Sequence, residues 1–303
     1  YVVIKTKTGS DLNDQTKTNL SNQLRKYAMA SIEAVIVDVD NIYVIPKIFA
    51  NYDTGCGSNT SQIKSDISTS IIDWGTQSKI NNFNSSFSTQ SFERAIELSN
   101  KCITDVSTQI TLLRYIKPNT NQTNTYCIST GSPIYNSAPS QDAGDGTECK
   151  KEPVILSGPF RTADRPGVDQ QFEDDGYGNL RTYYNTGNRK VYTSDSSGTV
   201  NYATGEICFG PVNIIGAGGI NPDDADISIT DSSTGLGSVV NPDNLPTGLQ
   251  LPVQVIPSNS AVLPATTPGT IINIISPEIS VTPIGTQFPS AIPLNSLTPG
   301  AYN

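Results

Sequence analysis

Residues 32–52 read IEAVIVDVDNIYVIPKIFANY, the longest uninterrupted run of strand-forming residues in the chain. Ile42, Val44, Pro46, Ile48 and Ala50 recur at every second position, the period of a strand with one buried face, and Ala34 and Ile36 keep the same period ahead of them. Asp38-Val-Asp-Asn carries turn chemistry, because Asn and Asp tolerate turn dihedrals and hydrogen-bond their own backbone. The stretch therefore predicts a β-hairpin with its turn at residues 38–41. Pro46 has no N–H to give to a ladder, so the second arm is expected to carry it at an outward-facing or edge position.

On the N-terminal side, Val2–Lys7 alternates as a short strand. Leu12–Met29 follows with Leu12, Leu20, Leu24 and Tyr27 on one helical face, and Ser10 or Asp11 is the natural N-cap. On the C-terminal side, Thr60–Lys79 places Ile63, Ile67, Ile71 and Trp74 on one stripe. A shorter helix over Thr89–Asn100 presents Phe92, Ala95 and Ile96, and Val106–Ile116 reads as a strand. Strand, helix, two strands, helices, strand is the order of a split βαβ arrangement. The fold class expected is thus α+β, with residues 1–116 forming a ferredoxin-like module whose helices cover one sheet face. Its core is predicted to hold Leu20, Leu24, Ile36, Ile42, Val44, Ile48, Ile67 and Ile71.

From Lys117 the pattern changes to short apolar runs, such as Tyr126–Ser129, Pro153–Leu156, Leu180–Tyr184, Lys190–Tyr192 and Glu206–Phe209. Gly, Asn, Asp and Ser clusters separate them, at the spacing of an antiparallel β domain over 117–216. Asp174-Asp-Gly-Tyr-Gly-Asn and Ala203-Thr-Gly-Glu are its hairpin turns. Residues 217–275 form a loop-rich region with strand candidates at Leu251–Ile256 and Thr270–Ile275. Residues 276–303 read as a Pro-rich extended arm, too rich in proline for helix and too apolar for a solvated linker, and so expected to order on a neighbouring surface.

Composition narrows the function classes. All 19 Lys and Arg lie at or before Lys190 with 20 of the 28 acids, so the last 113 residues carry eight acids and no base. No basic nucleic-acid footprint exists, and no apolar run is long enough for a membrane helix. The sequence starts with Tyr1 rather than Met and reads as an excerpt of a longer polypeptide. Histidine is absent and no Cys-x-x-Cys pair occurs, which removes the commonest zinc sites. Cys56, Cys102, Cys127, Cys149 and Cys208, odd in number and scattered, read as reduced thiols of a protein assembled in the cytoplasm rather than as disulfides.

Each candidate site has a plainer reading. Glu173-Asp174-Asp175 invites a glycosidase or calcium interpretation, but neighbours on a strand point to opposite faces, and no closing Glu follows about twelve residues on. A solvated hairpin turn is the better reading. Gly55-Cys56-Gly57 lacks any histidine to activate a thiol. Gly216-Ala-Gly-Gly lacks the Lys-Ser/Thr and helix of a phosphate loop. Trp74, Phe83 and Phe87 are core or interface residues rather than a sugar platform. No catalytic, cofactor or metal residue is assigned.

Taken together the segments resemble a known family. Tyr1–Asp53, with VVIKTK, a Leu-bearing helix and VDVDNIYVIPKIFANYD, resembles the strand–helix–strand unit of the baseplate J-like wedge proteins of contractile-tailed phages. IKSDISTSIIDWGTQSKINNFNSSFSTQSFERAIELSNKCI, at 63–103, is similar to the helical segment that follows in that family. FEDDGYGNLRTYY and GTVNYATGEICF look like its hairpins. The likeness covers residues 1–215 and, more loosely, 250–280, and falls in the C-terminal half of the family's wedge-ring members. It implies a structural virion protein, without enzymatic activity, cofactor, nucleic acid or membrane. Copies would dimerise, contact other wedge and hub proteins and link wedges into a ring around the tail hub, which rearranges when the sheath contracts. Trp74, Phe83, Phe87, Ile284 and Phe288 are the interface candidates. No role carries over to the tail after Ser276. The alternative is a carbohydrate-binding or carbohydrate-active adhesive β module of a virion or secreted protein.

Overall fold

In chain order, β1 (Val2–Val3), α1 (Asp14–Arg25) and β2 (Ile36–Val37) precede a fourteen-residue strand, β3 (Asp40–Asp53). The computed structural model describes residues 1–5, 12–28, 33–119, 122–136, 152–187, 189–217, 250–258, 262–264, 269–275 and 277–284. The hairpin expected at 32–52 is not formed. β2 pairs in parallel with β1 in a sheet of two strands, which the intervening helix makes possible, while β3 belongs to a separate sheet. Asp38 and Asp40 serve as anchors rather than turn residues: Lys17 of α1 reaches Asp38 at 2.7 Å, and Arg114 reaches Asp40 at 2.8 Å.

After β3 come a 3₁₀ turn at Thr54–Cys56, α2 (Thr60–Ser78), β4 (Ser86–Ser88), α3 (Thr89–Glu97) and β5 (Ile103–Ile116). β3 and β5 run antiparallel, so Val44 faces Leu112, Pro46 faces Ile110 and Ala50 faces Val106 on one surface. The stripe of α2 covers that surface: Ile63, Ile67 and Ile71 are essentially sealed from solvent. Burying each such side chain is worth about 1.5–3 kcal/mol. Trp74, Phe87 and Phe92 meet as edge-on and tilted ring pairs with centroids 5.2–5.5 Å apart, joining α2, β4 and α3.

α1 differs from the expectation. Asn13 is its N-cap, accepting from the Thr16 N–H at 2.7 Å, and Ser10, Asp11 and Met29 lie outside the described residues. Leu20 and Leu24 are half-buried rather than core, and Tyr27 is 89% exposed. The helix packs mainly on β2, and a two-stranded sheet offers too little surface to bury its stripe.

The remaining strands are β6 (Asn124–Ser129), β7 (Ile155–Ser157), β8 (Phe160–Thr162), β9 (Arg165–Asp174), β10 (Asn179–Thr186), β11 (Arg189–Asn201), β12 (Glu206–Val212), β13 (Ile214–Ala217), β14 (Leu251–Val255), β15 (Val262–Pro264), β16 (Thr270–Ile274) and β17 (Glu278–Ile284). The fold is α+β and strand-rich, built on a thirteen-stranded, mostly antiparallel sheet in the order β16–β3–β5–β14–β7–β9–β10–β11–β12–β6, with β8, β13 and β17 attached off that path. The sheet crosses residue 116 without interruption, because β14 bridges β5 and β7. One apolar core runs from Ile42 through Phe172 to Ile279.

β16 and β17 lie end to end along β3, both parallel to it: β16 takes Asp40–Val44 and β17 takes Lys47–Asp53. Pro46 is buried in a central strand, not an edge strand, and falls in the gap between the two partners, where a missing N–H leaves no ladder bond unmade. The start of the expected C-terminal arm is therefore a strand of the chain's own sheet. Ser276 and residues 285–303 lie outside the described residues.

Candidate functional site: a buried acid pair and an open sheet edge

Only Asp175 of the acid triplet is the solvated turn residue that the sequence suggests. Glu173 and Asp174 are 1% and 0% exposed. They end β9 and, as the strand period requires, point to opposite faces. Asp174 accepts from the backbone N–H groups of Val154 and Ile155 at 2.7 and 2.8 Å and from the Tyr202 hydroxyl at 2.6 Å. It thereby ties the chain entering β7 to the hairpin. Burial, then the hydrogen bond to Asp174, push the Tyr202 hydroxyl well above its ordinary pKa.

On the other face Glu173 receives Arg181 at 3.1 Å, the Lys190 ammonium and the Tyr192 hydroxyl at 2.8 Å. The Arg181 guanidinium lies 4.8 Å from the Tyr192 ring centre and the Lys190 ammonium 4.5 Å from that of Tyr183. Burial, followed by the Glu173 charge, pushes Tyr183 up to about 12. A carboxylate held by two cations and a phenol is a cross-strand clamp, and it shares no face with Asp174, so the two acids do not converge on one substrate. Sequence reading missed the clamp because its signal is register: Arg181 stands opposite Glu173 and Tyr183 opposite Tyr192 only once the strands are aligned.

Asp175 closes the turn, accepting from the N–H groups of Tyr177 and Asn179 at 2.7 and 3.0 Å and from Asn179 Nδ2 at 2.8 Å. Gly176 and Gly178 supply the left-handed backbone the turn needs, at φ 76° and 109°.

The interface candidates separate. Trp74 and Phe87 are core, 8% and 0% exposed, whereas Phe83 and Ile284 are 38% and 46% exposed. Phe288 lies outside the described residues.

The reduced-thiol expectation is overturned. Cys56 is bonded to Cys102 and Cys127 to Cys208, while Cys149 lies outside the described residues. The first bridge joins the turn after β3 to the start of β5, and the second joins facing positions of β6 and β12. Neither pairing shows as a motif, since partners lie 46 and 81 residues apart. Glu206 stands beside Cys127 and Cys208 in the one metal-like grouping among the described residues, but sulfurs bonded to each other are not the thiolates that a metal takes.

β6 ends the large sheet, and among the described residues no strand pairs with its outer edge. It reads NTYCIS, without charge or proline, the residues with which exposed edges are ordinarily guarded. No helix of the described residues is long and apolar enough to cross a membrane. Neither a protein-family model nor a curated protein sequence matches the chain.

Proposed function

We propose that this chain is a structural, non-enzymatic subunit of a contractile-tail baseplate wedge, which pairs with a second copy and with other wedge and hub proteins to build a ring around the tail hub. In this reading it works in the virion and needs no nucleic acid, membrane or cofactor. The sequence likeness to the baseplate J-like family supports it. The observation that carries it is the unguarded outer edge of β6. Such an edge is a template for strand addition, and two copies related by a two-fold axis can pair through it. The finer reading of residues 1–116 as a split βαβ module rests on element order and on α2 and α3 covering the β3–β5 pair; β1 and β2 stand outside that sheet.

Sedimentation velocity over a concentration series tests the pairing. The protein should form dimers, and Thr125→Lys, which places a charge at an exposed position of β6, should shift it toward monomer without changing its Tm. Unchanged dimerisation in the variant would move the interface elsewhere, and a monomer at all concentrations would remove the self-pairing claim.

The disulfides favour a second reading, an adhesive module of a secreted or virion-borne protein, because such bridges persist in oxidising surroundings. The same sedimentation series separates the two, since an adhesin is expected as a monomer or trimer.

A further inference from the structure

We propose that the cleft between the β8–β9 and β10–β11 strands and the turn after β12 binds a neutral saccharide. The cleft has a volume of about 540 Å³, within the range of small-ligand sites, roughly 300–1,000 Å³. Its inner wall is polar yet buried: Thr162, Gln170 and Thr182 are 5%, 3% and 6% exposed. Gln170 Nε2 donates to the Thr162 hydroxyl at 2.8 Å, and the Thr193 hydroxyl is 3.1 Å from Gln170 Oε1. The Thr182 and Ser197 hydroxyls are 2.6 Å apart. This network fixes the amide and the hydroxyls before any ligand arrives.

Two further observations point to a ligand. Asn213, which also lines the cleft, has its Oδ1 buried without a donor among the described residues, so turning this amide toward the cleft to meet a ligand O–H breaks no hydrogen bond of that oxygen. Three ladders also lose register at residues of the lining: β10–β11 around Thr182, β8–β9 between Phe160 and Thr162, and β12–β6 between Phe209 and Val212. Bulges of this kind open a sheet and re-aim side chains beside binding sites.

The chemistry of the wall selects the class. Asp164 and Arg165 are the charged residues of the lining, and they lie 3.9 Å apart, so their charges offset and no ion is favoured. Hydroxyls of Ser and Thr donate and accept in turn, as the adjacent hydroxyls of a sugar require. Phe160 and Phe209 are sealed in the core behind the cleft, at 0% and 1% exposed, so the polar wall is what meets the ligand. The site is independent of the assembly role, and either can fail alone.

Saturation-transfer NMR and thermal shift with glucose, galactose, N-acetylglucosamine and their oligomers test the proposal, with glucuronate and inorganic phosphate as controls. At least one neutral sugar should bind and raise Tm, and the controls should not. Asn213→Ala should weaken that binding at least tenfold while leaving the Tm of the free protein unchanged or higher, because the removed oxygen has no partner. Ser197→Ala serves as the second variant and should weaken binding as well. Failure of every neutral sugar to bind, equal response to the charged controls, or full binding by both variants would overturn the proposal.

Discussion

Asp174 satisfies three donors from two other parts of the chain while lying at zero exposure, so its removal leaves buried donors without a partner. Asp174→Ala strands two buried backbone N–H groups and the Tyr202 hydroxyl, each worth about 1–3 kcal/mol when unpaired. Chemical denaturation should show a loss of roughly 3 kcal/mol or more; a loss under about 1 kcal/mol would mean that water enters and replaces the carboxylate. Its neighbour Asp175 acts through pH. Burial alone would raise its pKa, but hydrogen bonds from Asn179 and Tyr177 and the Arg181 charge outweigh this and hold it below the ordinary 3.8. A folded-state pKa lowered in this way adds stability that is fully present above the unfolded value and is lost as the pH falls through the folded one. Denaturation midpoints measured from pH 5 downward should therefore fall less steeply in Asp175→Ala than in the parent, and parallel curves would contradict the assignment. The difference should be modest, since the turn is largely exposed.

At the scale of the element, α1 and α2 carry similar apolar stripes and meet different fates. Ile71→Ala in α2 should cost about 2–5 kcal/mol, as expected for a sealed core position, whereas Leu24→Ala in α1 should cost well under half as much. Equal losses would mean that α1 packs against more than β2. The same contrast marks what was legible. The alternating face of Ile42–Ala50 and the stripe Ile63–Trp74 were readable because each is decided by local period. The end of the first strand pattern was not, since whether Asp38–Asn41 reverses the chain depends on cations at Lys17 and Arg114, remote in sequence. The parallel partners of β3, β16 and β17, were equally hidden, lying more than 220 residues downstream. The bridges Cys56–Cys102 and Cys127–Cys208 likewise need the strands in place. Thiol titration in denaturant without reductant should find one reactive cysteine of the five, and reduction should lower stability by about 2–4 kcal/mol per bridge. Five reactive thiols would restore the reduced reading.

For the whole molecule, the decisive feature is a single long sheet that starts with C-terminal strands at β3 and ends at an unguarded β6. Its two faces are closed by different means. α2 and α3 roof the core side, while Tyr43, Leu113 and Ile275 form a smaller cluster on the opposite side of β3 and β5. An asymmetric charge distribution accompanies this, since no base follows Lys190. A C-terminal region with acids and no base disfavours binding a polyanion. The proposed role is that of a ring-forming subunit of a baseplate. Electron cryomicroscopy of a contractile-tailed phage that encodes the chain decides whether it has this role: density for this fold should appear in several symmetry-related copies around the tail hub, joined to one another. Density at a fibre tip or elsewhere on the particle, with copies out of contact, would overturn the proposed role.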